Sequence, residues 1–134
     1  MNICNILAVI TLAATIALSS VADAACTDPA APGVNWSGCD LTGQSFSNID
    51  LTGANLTGAD LTMASFNSVS GISSEMLRSV KTIDLTTFSK IDFSGADLSG
   101  LDFYGLANFI DCDFTSANLS DAVIMSRSLS VLRF

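Results

Sequence analysis

From Cys39 onward the chain repeats every five residues. Cys39-Asp40-Leu41-Thr42-Gly43 is followed by Gln44-Ser45-Phe46-Ser47-Asn48 and Ile49-Asp50-Leu51-Thr52-Gly53. Ala54-Asn55-Leu56-Thr57-Gly58, Ala59-Asp60-Leu61-Thr62-Met63 and Ala64-Ser65-Phe66-Asn67-Ser68 complete a first block. A second block opens at Ile83-Asp84-Leu85-Thr86-Thr87 and resumes at Ile91-Asp92-Phe93, Ala96-Asp97-Leu98 and Leu101-Asp102-Phe103. After one extra residue, Leu106, the centres continue at Phe109, Phe114, Leu119, Ile124, Leu129 and Phe134. A helix would place apolar residues every 3.6 positions and a strand every second one, so neither element explains a period of five. Two inward positions in every five, separated by polar residues, suit a chain that turns after each short straight piece. Seven of the eight Phe residues occupy centres, the exception being Phe88. Six of the nine Gly residues occupy the fifth position, where a corner can demand positive φ.

This pattern closely resembles the pentapeptide-repeat family, whose motif reads A-(D/N)-L-x-x. The resemblance implies an all-β fold, a right-handed quadrilateral β-helix with four pentapeptides per coil. About sixteen centres then give about four coils from Cys39 to Phe134, a stack ~20 Å tall at the ~4.8 Å spacing of paired strands. The expected core centres are Leu41, Phe46, Leu51, Leu56, Leu61, Phe66, Leu85, Phe93, Leu98, Phe103, Phe109, Phe114, Leu119, Ile124 and Leu129. Phe46 and Phe66, twenty residues apart, are expected to stack, as are Phe93, Phe114 and Phe134 once Leu106 is treated as a bulge.

The period fails over residues 71–82. Ile72 to Val80 reads as a short helix with Ser73 as cap, Glu75 in the first turn, and Arg78 and Lys81 toward the end. Met76, Leu77 and Val80 form its apolar face. It is either a spacer packed on the side of the β-helix or a protrusion that contacts a partner. Residues 25–38 read as an N-terminal cap, with Trp36 covering the first coil, because solenoid ends expose apolar residues. Met125, Leu132 and Phe134 leave an apolar C-terminal end. They form a candidate dimer surface for a homodimer through the last coil.

Residues 1–24 carry the marks of a signal peptide. Ile6 to Leu18 is apolar except for Thr11 and Thr15, and Ala22-Asp23-Ala24 supplies an A-x-A cleavage pattern. The run is short of the ~20 residues that span a bilayer. We therefore expect an exported protein, periplasmic or secreted, with no membrane span after cleavage. Cys26 follows two alanines and offers a lipid-anchored alternative, although Asp23 departs from a lipobox. An oxidising compartment predicts a Cys26–Cys39 disulfide. Cys112 takes an inward position and is expected as a buried thiol.

The chain has 5 Lys and Arg against 13 Asp and Glu, for a net charge of −8, and it has no His. Acidity argues against nucleic acid as a partner. Without His there is no His-dependent triad or His-ligated metal, and no G-x-S-x-G elbow is present. No enzyme activity, cofactor or metal is expected. Most Asp residues, including Asp40, Asp50, Asp60, Asp84, Asp92, Asp97, Asp102 and Asp113, precede a centre. There a side chain can bond the backbone at a corner, so the repeat itself dictates most of the charge. The expected function is an exported, non-catalytic structural or protein-interaction module with an unidentified protein partner. The alternative follows relatives that mimic DNA and bind a topoisomerase.

Overall fold

The computed structural model describes residues 25–103, 107–124 and 129–130. The expected signal peptide, Leu106, and the expected dimer residues Met125, Leu132 and Phe134 lie outside the described residues, as does the side chain of Leu129.

Each pentapeptide makes its own corner. The Asp or Asn before the centre accepts a hydrogen bond from the backbone N–H of the residue after it. Asp50 Oδ1 accepts from Thr52 N at 2.8 Å, and Asp113 Oδ1 accepts from Thr115 N at 2.9 Å. Asn55 and Asn118 do the same for Thr57 and Ser120, each at 3.1 Å. The fifth residue is left-handed, at φ 68° for Gly43 and 72° for Gly53, a conformation glycine adopts without steric cost. The corner redirects the chain, and every side of the coil begins afresh.

Successive coils are then joined by backbone hydrogen bonds in both directions. Trp36 N–H donates to Asn55 O at 2.8 Å, and Asn55 N–H donates to Val34 O at 2.8 Å. Leu41 N–H to Asp60 O and Asp60 N–H to Cys39 O repeat the exchange one corner later, each at 2.9 Å. Parallel bridges mark the sides. They run Asn35 to Asn55, Asp40 to Asp60 to Thr82, and Asp50 to Ser70. The remaining side flattens into a parallel sheet of β1 (Ser45–Ser47), β2 (Ser65–Asn67), β3 (Thr87–Ser89), β5 (Asn108–Ile110) and β7 (Leu129–Ser130), in that order. Two further strands, β4 (Asp102–Phe103) and β6 (Val123–Ile124), pair on the side that carries Asp40.

The interior is a set of side-chain columns. Phe46, Phe66, Phe88 and Phe109 stack with centroid separations of 5.0, 5.6 and 5.4 Å. Phe93 and Phe114 stack at 5.2 Å, as the sequence spacing predicts. Offset stacking of this kind adds about 0.5–1.5 kcal/mol per pair beyond area burial. Small residues alternate with the rings in the inward positions, among them Ala59, Ala64, Ala107 and Cys112, all fully buried.

The helix α1 (Ser74–Ser79) occupies one side of the third coil rather than lying outside the stack. Gly58 N–H donates to Ser79 O at 2.7 Å, and Lys81 N–H donates to Ala59 O at 2.9 Å. Met76 and Leu77 enter the core, and Val80 packs against it. The helix takes two residues more than a pentapeptide side would use, so Phe66 pairs with Phe88, twenty-two residues on, instead of twenty.

That coil length corrects the expected phase. Leu85 is not a core centre: it is half-exposed, with φ of 57°, and it stands at a corner. Phe88, set aside as the exception, is fully buried in the sheet column. Ile83 is the centre before it, in the place that Leu61 holds one coil earlier. Asp84 accordingly does not hold the corner of this repeat; Thr82 Oγ1 accepts from Asp84 N at 3.2 Å instead. The repeat also begins before Cys39. Val34-Asn35-Trp36-Ser37-Gly38 forms a full unit, with Asn35 Oδ1 accepting from Ser37 N at 3.2 Å. Trp36 is therefore the first centre as well as the residue beneath the N-terminal cap.

Candidate interaction surface

Because the corners recur at one place in every unit, the outward residues form rows. On the flat sheet the rows are neutral: Ser45, Ser65, Thr87 and Asn108 along one line, with Ser47, Asn67, Ser89 and Ile110 along the other. The adjoining sides carry the acids, with Asp40 over Asp60 and Asp92 over Asp113.

The carboxylates are held in their charged form by the corners. The Thr52 hydroxyl, and then its backbone N–H, keep Asp50 below the ordinary carboxylate range. The same pair of donors from Thr42, Thr62, Ser94 and Ser99 lowers Asp40, Asp60, Asp92 and Asp97. The like charge of Asp60 opposes this at Asp40, and that of Asp113 opposes it at Asp92, as smaller effects. Hydrogen bonding to the charged form thus outweighs stacking of like charges. Lys81 Nζ approaches Asp60 Oδ2 at 3.2 Å, an exposed ion pair that contributes little.

The side bearing α1 differs from the others. Ser73 Oγ accepts from Met76 N at 3.1 Å, which caps the helix. Glu75 and Arg78 are exposed. Arg78 Nη2 donates to the carbonyls of Ser99 at 2.8 Å and Asp97 at 3.2 Å, tying the helix end to the following coil. On its other flank, between α1 and the Asn55 side of the preceding coil, lies an open cleft of about 630 Å³. Thr52, Asn55 and Thr57 form one wall, and Gly71, Glu75 and Ser79 form the other. The cleft exists because a helix and an extended segment do not pair along their length.

At the N-terminal end Cys26 and Cys39 are joined in a disulfide. Cys112 is buried, and desolvation raises its thiol above the ordinary value. Of the expected centres, Leu119 and Ile124 are only half-buried and pack against the core. Ile83, expected as the inward residue before Leu85, is itself the centre, whereas Val34, Val69, Thr86 and Phe88 are buried positions outside the sequence pattern. Phe88-Phe93-Leu98-Phe103, at a strict five-residue spacing, is the signal that would have found the last of them. Among the described residues no three His, Cys, Asp or Glu side chains gather to hold a metal ion. No helix there is long and apolar enough to cross a membrane.

The repeat pattern is also found by comparison with protein families. The family model "Pentapeptide repeats" matches residues 35–70 with 8 copies. No curated protein matches the chain. Among solved structures, the chain is similar to HetL, a pentapeptide repeat protein involved in heterocyst differentiation regulation from the cyanobacterium Nostoc sp. strain PCC 7120. The two are 19% identical, with a TM-score of 0.19, and the match covers 75% of this chain and 34% of HetL. The chain thus spans about a third of the length of that protein. The matched repeats begin at Asn35, where the parallel bridges begin, so residues 35–70 carry the pentapeptide-repeat pattern on the stacked coils of this fold.

Proposed function

We propose that this protein is an exported, non-catalytic interaction module, built on a right-handed, four-sided stack of about four coils. Its partner is another protein, bound on the side that carries α1. The observation that carries this reading is the cleft between α1 and the Asn55 side. A smaller hollow of about 350 Å³ lies beside Ser70, Lys90 and Asp92 on the neighbouring side, and the cleft against α1 is the larger of the two. Here one side departs from the repeat and offers a concave wall with Glu75 on its rim. Apolar area from Ile72 and Ala54, together with the Ser and Thr hydroxyls, gives the mixed lining that protein contacts use. Export is supported by the 1–24 segment and is consistent with the paired Cys26 and Cys39.

A photo-crosslinking side chain at Glu75, compared with one at Ser89 on the flat sheet, tests the surface in intact cells. Capture of one protein from Glu75 and none from Ser89 is expected. Capture from Ser89 alone would overturn it. An alkaline-phosphatase fusion tests export separately, and an inactive fusion retaining residues 1–24 would remove that part of the reading.

A further inference from the structure

We infer that the Cys26–Cys39 disulfide is a redox latch on the N-terminal end of the stack, opened by a dithiol without unfolding the coils. The segment it holds, residues 25–32, is weakly tied otherwise. Among the described residues its backbone hydrogen bonds are local: Asp28 N–H donates to Ala25 O at 2.8 Å, and Ala31 O accepts from Val34 N at 3.2 Å. The bonded stack starts at Gly33, whose N–H reaches Thr52 O in the next coil at 2.9 Å. Besides the disulfide, the segment is held by the Trp36 Nε1–H bond to Asp28 O at 3.3 Å and by Ala30 packed on the core. Both are contacts of modest strength.

What the segment covers is the top of the core. Trp36 is 2% exposed and packs tilted against Phe46 at 5.2 Å, heading the Phe column. Cys39 is a fully buried inward residue, so its sulfur stays with the stack. Cys26 lies on an exposed residue, within reach of a reductant. A dithiol attacks the Cys26 sulfur, the Sγ–Sγ bond breaks, and Cys39 leaves as a thiolate that takes a proton. The second thiol of the reductant then closes on the mixed disulfide. Cys26 is released as a thiol, and the reductant leaves as its own cyclic disulfide. Freed residues 25–32 swing away and uncover Trp36. The coils themselves are bonded from Gly33 onward and need no disulfide. The latch therefore makes exposure of the apolar N-terminal end depend on the local thiol balance.

Trp36 is the chain's single tryptophan, so its emission reports the end directly. The chain is compared oxidised and after reduction with dithiothreitol, with both thiols verified by alkylation and mass. Reduction is expected to move Trp36 emission to longer wavelength. It should speed hydrogen exchange about tenfold or more at the amides of Asp28 and Val34, which donate to Ala25 O and Ala31 O, while the amides of β1 to β3 keep their protection. Cys26→Ser is expected to show the reduced emission at all times and to ignore dithiothreitol. Unchanged emission and exchange after complete reduction would overturn the latch. So would loss of protection across β1 to β3, which would make the disulfide a staple for the whole fold.

Discussion

Replacing Phe88 by alanine is expected to destabilise the protein by about 3–5 kcal/mol, since the ring is fully buried between Phe66 and Phe109. Leu85→Ala, three residues earlier, is expected to cost less than about 1 kcal/mol, because that side chain is half-exposed at a corner. Urea titration of both variants reads the difference, and equal losses would contradict the assigned phase. The sequence is deceptive here for a definite reason. Ile83-Asp84-Leu85-Thr86 copies the local look of Ile49-Asp50-Leu51-Thr52. A repeat's phase, however, is set by which residue faces its counterpart one coil away, and local composition does not contain that. Thr86 shows the same point. It fills an inward place held elsewhere by Ala64 and Ala107, and it is tolerated because Oγ1 donates to Leu61 O at 2.6 Å. Gly71 is the opposite case, a residue whose lack of a side chain is required. It sits at φ 78°, and a Cβ there would fall on the Thr52 backbone nitrogen. Gly71→Ala is expected to cost about 2–4 kcal/mol in the same titration.

At the scale of elements, α1 was legible because its signals are local. The Ser73 cap, the acidic first turn, the basic last turn and the apolar pair Met76 and Leu77 all lie within a few residues of one another. Ser73→Ala is expected to lower stability by about 1 kcal/mol, measured by thermal melt. Its loss should be confined to faster hydrogen exchange around α1. What was not legible is that the helix substitutes for one side of a coil. That depends on the pairing of Phe66 with Phe88 and on the bonds from Gly58 and Lys81 to the flanking turns. The first unit is hidden in the sequence for a related reason. Trp36 replaces the usual Leu or Phe, so Val34 to Gly38 reads as part of a cap.

The whole molecule carries its acidity in the corners, which sets its response to pH. Asp40, Asp50, Asp60, Asp92 and Asp97 ionise below 3.8 in the folded chain and at about the ordinary value when unfolded. The unfolded chain therefore binds more protons as pH falls past 3.8. The stabilisation is present above that pH and is lost as pH drops through the lowered folded values. Melting temperature is expected to hold down to about pH 5 and then to fall toward about pH 2. Asn at these five positions keeps the corner acceptor without the titrating proton, so the variant should lose much of that acid step. A flat profile in the wild-type chain would remove the corner account of its charge.

The two extra residues in the α1 coil have a consequence for how such a chain can change its length. The sheet column from Phe46 to Phe109 stays in register across them, so the added backbone is absorbed entirely on the opposite side of the tube. Length variation is therefore not uniformly harmful. One residue added between Ile72 and Lys81 alters only the local path over the cleft. One residue added between Phe88 and Phe103 turns inward positions outward for every later unit of that coil. The helix side is an expansion joint, as the coil of twenty-one residues from Phe88 to Phe109 is on a smaller scale, and it is where new sequence can be grafted while the column of rings stays in line.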